Sequence, residues 1–308
     1  MKQITESPLL KNNKSSIFKK DSLLGYLTIL PAFLVISLAM IVPLAYGLFI
    51  SLFDFRLGKE GFVKFLFLGN YIKFFQDSVA LNSVKVTVLF TIGALLCELF
   101  LGILISVLLL RLVQSSGALM RGIFTMPLLI SPIIIGLIWR YMFDSTYGLI
   151  NYGLGILHID QYFGGLGSTS WALVCIIVAD VWENTPFVIL IITSGLISIS
   201  PELYESGRID GGGSFKLFYH ITLPMLTKVI TVILLIRGGD AFRIFDIIYA
   251  LTEGGPANST LSLSIYAFKQ GFQNYEMGYG MTISVISMIM MLIIFGPLLR
   301  FTTNVDKQ

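Results

Sequence analysis

Six long apolar runs, parted by polar stretches, organise this chain of 308 residues. They cover residues 23–53, 86–112, 119–143, 171–196, 225–251 and 279–301. About 20 apolar residues cross a bilayer as a helix, and a helix satisfies its own backbone groups in lipid. The first run exceeds the apolar length of a signal peptide and lacks a small-residue cleavage end, so it is expected to be retained. The pattern predicts an all-α integral membrane protein with six transmembrane helices: a polar tail 1–22, a membrane domain 23–303 and a short tail 304–308. Pro127 and Pro132 are expected kink points in the third span. Of the loops, 54–83 is rich in aromatic residues and is expected at the membrane interface. Another, 144–170, has no lysine or arginine, and 252–277 holds Gly254-Gly255-Pro256.

One polar stretch, residues 200–224, stands between the fourth and fifth spans. Ser200 suits an N-cap and Pro201 a first helical position, which predicts a short helix from Pro201 to Ile209. Gly211, Gly212 and Gly213 then break it. Ser214 is placed to cap a second short helix with Phe215, Phe218 and Tyr219 on one face, and Pro224 is expected to re-aim the chain into the fifth span. From these residues alone, the stretch fits an ordinary connecting loop or a docking element for a soluble partner.

Composition agrees with a membrane protein: 55% hydrophobic and 13% charged, against about 25% charged in soluble domains, with a mean hydropathy of +0.84. Cys97 and Cys175 lie inside apolar runs and read as small buried hydrophobes, not as a disulfide or metal pair. A net charge of +3 gives no reason to expect nucleic acid. With the N-terminus inside, the basic residues of the cytoplasmic segments outnumber the external ones about two to one, so both termini and the 200–224 stretch are expected in the cytoplasm.

Charge also falls within or near the spans, at Glu98, Arg140, Asp180, Glu183, Arg237, Asp240, Arg243 and Asp246. Such residues usually face a bundle interior or a water-filled path. In the fifth span they alternate in sign every three residues, which allows local ion pairs on one helix. They serve either to line a cavity or to neutralise one another. Gly238 and Gly239 weaken the helix between Arg237 and Asp240, as an irregular backbone lining a cavity would allow. No phosphate-binding loop, no HExxH and no nucleophile with a base at motif spacing occurs, and His158 and His220 are isolated. An enzyme has no positive support, whereas an ion-coupled transporter or a channel stays open on these residues alone.

The polar stretch carries Glu205-Ser206-Gly207, then Gly211, then Ile221-Thr222-Leu223-Pro224. That spacing resembles the EAA loop (E-A-A, three residues, G, nine residues, I-x-L-P) of permease subunits in bacterial binding-protein-dependent ABC importers. The strings LGNY (68–71), WENTPF (182–187) and FRIFDIIYALTEGGP (242–256) are similar to the carbohydrate branch of that family, which includes maltose and trehalose permeases. The resemblance implies a subunit of the bacterial inner membrane that translocates a sugar without catalysis or a cofactor of its own. A disaccharide such as trehalose or maltose is the first expectation, and a polyol or glycerophosphate-type solute the second. ATP and magnesium would belong to a pair of partner ATPases, and a second permease and an extracytoplasmic sugar-binding protein would complete the complex among membrane lipids. In the coupling loop Glu205 would face the ATPase, Gly211 would form the hinge, Arg208 and Asp210 would flank it, and Ile221, Leu223 and Pro224 would close the motif. Ser206 and Gly207 depart from the two alanines, and Gly207 is expected to soften the first helix. Carried over by position, the substrate path would fall on Glu183, Asn184 and Phe187 and, on the next span, on Arg237, Asp240, Ala241 and Ile244.

Overall fold

A computed structural model of the protein describes residues 14–58, 62–112, 122, 124–158 and 163–304. Most of the expected N-terminal tail and nearly all of the C-terminal one lie outside these residues. The chain divides after residue 50 into two units. The described part of the first, residues 14–50, is taken up by helix α1, Lys14–Ser51, which starts well before the predicted residue 23 and holds Pro31 and Pro43 within it. Its segment Thr28–Ser51 is long and apolar enough to cross a membrane.

The second unit opens on a two-stranded antiparallel hairpin, β1 (Phe53–Phe55) and β2 (Phe62–Phe65), paired Phe53 to Phe65 and Asp54 to Lys64. Helix α2, Gly69–Gln76, follows. The stretch predicted as an interface loop is thus structured, and the protein is mostly, not entirely, helical. Asn70 explains part of this: its side-chain amide donates to the carbonyls of Ser51 and Phe53, both at 2.9 Å.

Helix α3, Ser78–Leu112, begins earlier than the predicted residue 86 because Asp77 caps it, accepting the backbone N–H of Val79 at 2.9 Å. Its 35 residues extend about 50 Å, more than the roughly 30 Å of a bilayer core. The predicted third span is not one long helix over its described part. A 3₁₀ turn, Met126–Leu129, leads to α4, Pro132–Met142, with Pro132 at its start, where its missing N–H costs nothing, so it begins a helix instead of kinking one. Residues 113–121 and 123 of that region lie outside the described residues. A short α5, Leu149–Ile156, occupies the next loop. Helix α6, Ala172–Ile197, matches the fourth predicted span and packs on α3 through close contacts at Gly93 and Gly102.

After the short helices α7 (Pro201–Ile209) and α8 (Ser214–Leu217), α9 runs from Leu223 to Phe242. The fifth predicted span breaks at residues 243–245, and α10, Asp246–Leu251, resumes beyond. The break does not fall at Gly238 and Gly239. Those glycines sit in regular helix, where a Cβ on Gly238 would strike the Phe295 ring and one on Gly239 would lie 2.8 Å from the Met291 methyl. Their role is close approach to the last helix. Ser262 then caps α11, Leu263–Phe268, and donates its hydroxyl to the Ile244 carbonyl at 3.1 Å, meeting an acceptor near the break. A π turn, Lys269–Gln273, joins α11 to α12, Met277–Asn304. Among the described residues, five helical stretches are long and apolar enough to cross a membrane.

Asp77 fastens the start of α3 to two other elements, accepting the hydroxyls of Tyr266 and of Tyr279, the latter at 2.7 Å. Partial burial works against its charge, but these hydroxyls and the N–H groups of Ala80 and Val79 outweigh burial and hold the carboxyl below its usual range. Its contribution is therefore present above the unfolded carboxyl pKa of about 3.9 and lost as pH falls below it. Asp77→Asn is expected to cost about 1 kcal/mol at neutral pH, allowing for solvent screening. Thermal unfolding in detergent should show a lower midpoint than the parent at pH 7.5 and a smaller gap near pH 4; equal midpoints at pH 7.5 would contradict this role.

Candidate functional site

Three helices meet at one guanidinium. Arg237 on α9 donates from Nε to Glu98 Oε2 at 2.9 Å and from Nη2 to Glu98 Oε1 at 2.6 Å. The same Nη2 reaches Asp180 Oδ2 on α6 at 2.9 Å. Exposure is 6% for Arg237, 0% for Glu98 and 3% for Asp180. Taking such charges out of water costs several kcal/mol per ion, offset only by excellent geometry. The two-pronged Arg237–Glu98 pair supplies that geometry. Asn184, one turn beyond Asp180, donates to its carbonyl at 3.1 Å and its Oδ1 at 3.2 Å, which fixes the carboxylate.

Beside this cluster lies a cleft of about 350 Å³. It brings together Glu183, Asn184, Arg237, Asp240 and Ile244 of the expected path residues. Two others lie elsewhere. Ala241 is buried in the main core, and Phe187 packs into a second apolar cluster around Val188 and Ile192. The cleft also takes Asp180, Arg243, Phe245 and Asp246. The alternating charges make one local pair among the described residues, Arg243 to Asp240 at 2.7 Å, and it is exposed. Arg237 pairs across helices with Glu98, 139 residues away. No local spacing could have signalled that; the one clue was the presence of each charge inside an apolar run.

The 200–224 stretch folds as a helical hairpin. Helix α7 has the predicted bounds, ending in Gly211 at φ +78°. The Gly212 N–H reaches the Gly207 carbonyl at 2.9 Å and the Gly211 N–H the Arg208 carbonyl at 3.0 Å, the paired bonds of a Schellman end. Four local expectations change. Ser200 has extended backbone but makes no side-chain cap bond, and Gly213, not Ser214, occupies the cap position of α8. Gly207 does not merely soften α7: a Cβ there would lie 3.1 Å from the Ile221 methyl and closer still to Leu217, so glycine lets the two arms touch. Pro224 does not redirect the chain, because a π turn, Phe218–Thr222, widens the helix ahead of it. There the Leu223 N–H reaches back to the Phe218 carbonyl, leaving room for the proline ring. Tyr204 and Thr222 share a hydrogen bond of 3.0 Å between the arms. Glu205, Arg208, Asp210, Gly211 and Pro224 are exposed, while Ile221 and Leu223 are half-buried. Ile209, Phe215 and Tyr219 are also left exposed on the hairpin.

The family model described as "Binding-protein-dependent transport system inner membrane component" matches residues 98–303. The chain belongs to this family. It is a multi-pass membrane protein and a transport component. It is 36% identical over 92% of its length, and 95% of the relative, to the trehalose/maltose transport system permease protein MalF of Thermococcus litoralis. It is 30% identical over 85% of its length, and 83% of the relative, to the trehalose transport system permease protein SugA of Mycobacterium tuberculosis. A crystal structure of a bacterial ABC transporter involved in the import of the acidic polysaccharide alginate shares its fold. The TM-score is 0.77 at 21% identity, covering 94% of this chain and 98% of that one.

Arg237→Met would leave Glu98 and Asp180 buried without their counter-charge, at a cost of about 3–5 kcal/mol. Arg243→Met removes an exposed pair and should cost less than about 1 kcal/mol. Thermal unfolding of the two purified variants compares them; similar losses would show that burial does not distinguish the two arginines.

Proposed function

We propose that the protein is the sugar-translocating permease subunit of an ATP-driven ABC importer. The likeness to a trehalose/maltose permease over 92% of the chain carries this reading, and a neutral disaccharide is the substrate it favours. In this reading residues 23–303 form a six-span domain between cytoplasmic tails 1–22 and 304–308, with the third crossing made by α4 and the residues before it. A second permease, a pair of ATPases holding ATP and magnesium, and an extracytoplasmic sugar-binding protein complete the complex.

The hairpin 200–224 is the element that receives work from the ATPases. Its support is the complete spacing of Glu205, Gly211, Ile221, Leu223 and Pro224, on a hairpin whose glycine end and interarm contacts make it a rigid lever. Glu205, Arg208 and Asp210 are exposed and free to meet a partner surface. The ATPases bias the outward–inward equilibrium only by binding the two states with different affinity. A lever joined to α9 by continuous helix, through a π turn, would transmit that difference to the cleft. There, carboxylates, an amide and guanidiniums offer the acceptors and donors that sugar hydroxyls need.

The test is reconstitution with the partner subunits and uptake of labelled trehalose. ATP-dependent uptake is expected; uptake driven by an ion gradient without ATP would falsify the importer reading. Glu205→Ala should reduce uptake at least about tenfold, as loss of a coupling energy of 1–3 kcal/mol implies, with the protein still in the membrane; undiminished uptake removes Glu205 from coupling. Asp240→Ala should lower sugar-stimulated transport while the complex still assembles, and failed assembly would make Asp240 structural.

A further inference from the structure

We propose that the cleft beside Arg237 selects its solute by charge, admitting uncharged saccharides and turning back anionic ones, with Glu183 setting the selection. This rests on reading the cleft as part of the sugar path. Four carboxyl side chains, Asp180, Glu183, Asp240 and Asp246, line it with two guanidiniums, Arg237 and Arg243, an excess of two acidic groups. Glu98 on the far side of Arg237 adds a third. Asp240 is matched by Arg243, and Glu98 and Asp180 divide the single charge of Arg237. Asp246 is exposed at the first turn of α10. Glu183 is different. It is 7% exposed, its side chain lines the cleft, and it makes no hydrogen bond or ion pair among the described residues.

A carboxylate that lines a cleft with no protein partner among the described residues is open to donors that enter beside it. Two neighbouring saccharide hydroxyls supply donors to its two oxygens without adding charge. A uronate, sulfonate or phosphate brings acceptors and like charge instead. At about 6 Å, in a water-filled cleft, one unit charge changes the local concentration of a monovalent ion roughly three- to tenfold. Removing Glu183's charge therefore shifts the preference between a cation and an anion of similar shape by about tenfold or more.

The assembled transporter tests this without depending on the binding protein's own selectivity. Cys97→Ser removes the exposed native thiol, Cys175 being buried, and Ile244→Cys places a reporter in the cleft. Its reaction rates at pH 8 are measured with a cationic methanethiosulfonate (ethyltrimethylammonium) and an anionic one (ethylsulfonate). The expected cation-to-anion ratio exceeds that of free cysteine at least about tenfold, drops by about the same factor on Glu183→Gln, and is kept on Glu183→Asp. A ratio equal to that of free cysteine, or one unmoved by Glu183→Gln, overturns the proposal, as does a reporter that reacts with neither reagent. A transporter that shows the charge preference but takes up no labelled trehalose with ATP overturns the sugar reading instead.

Discussion

A guanidinium removed from water must be met along its charged edge, and Arg237 is met by carboxylates from two other helices. That requirement sets the register of α9 against α3 and α6. A one-residue slip in any of the three would strand a charge in the apolar core. Gly93 and Gly102 let α3 and α6 approach closely, and Gly238 and Gly239 do the same for α9 and α12. The cleft opens where this packing stops, just past Arg237, so the charge that joins the helices also forms one wall of the cleft.

The irregular places follow a second rule, that backbone groups in an apolar setting need partners. The chain leaves helix after Phe242, and Ser262 supplies a donor to the Ile244 carbonyl. Thr87 bonds back to the Ser83 carbonyl while accepting the N–H of Leu263, which ties the start of α11 to α3. The hairpin at 200–224 closes its first helix through Gly211 and Gly212 and widens its second ahead of Pro224. Each deviation has a local cause, and none needs an appeal to looseness. The hairpin is closed by specific bonds at its glycine end and between its arms.

What the sequence disclosed divides along the same lines. Among the described residues five of the six apolar runs appear as long helices, and the bounds of α7 and its glycine end followed from Ser200, Pro201 and Gly211, because those signals are local. The early start of α3 was readable too, in Asp77 before the apolar run, but it was hidden by the aromatic residues around it. The partnership of Arg237 was not readable. Its carboxylates lie 139 and 57 residues away, and the three-residue spacing to Asp240 suggested a local pair instead. Gly207 and Gly238 were misleading for a related reason: a glycine in a helix reads as weakness until the side chain facing it is known. Of the seven positions carried over by alignment, Glu183, Asn184, Arg237, Asp240 and Ile244 line the cleft, whereas Phe187 and Ala241 pack into the apolar clusters.

The central claim is that Arg237 and Glu98 act as one buried unit that joins α9 to α3. A double-mutant cycle measures this directly, with Glu98→Gln, Arg237→Gln and the double variant compared by thermal unfolding of the purified protein. The double variant should be less destabilised than the sum of the singles by about 2 kcal/mol or more, as for residues in one ion-pair network. Additivity to within about 0.5 kcal/mol would mean that the two side chains do not depend on each other, and would contradict the account.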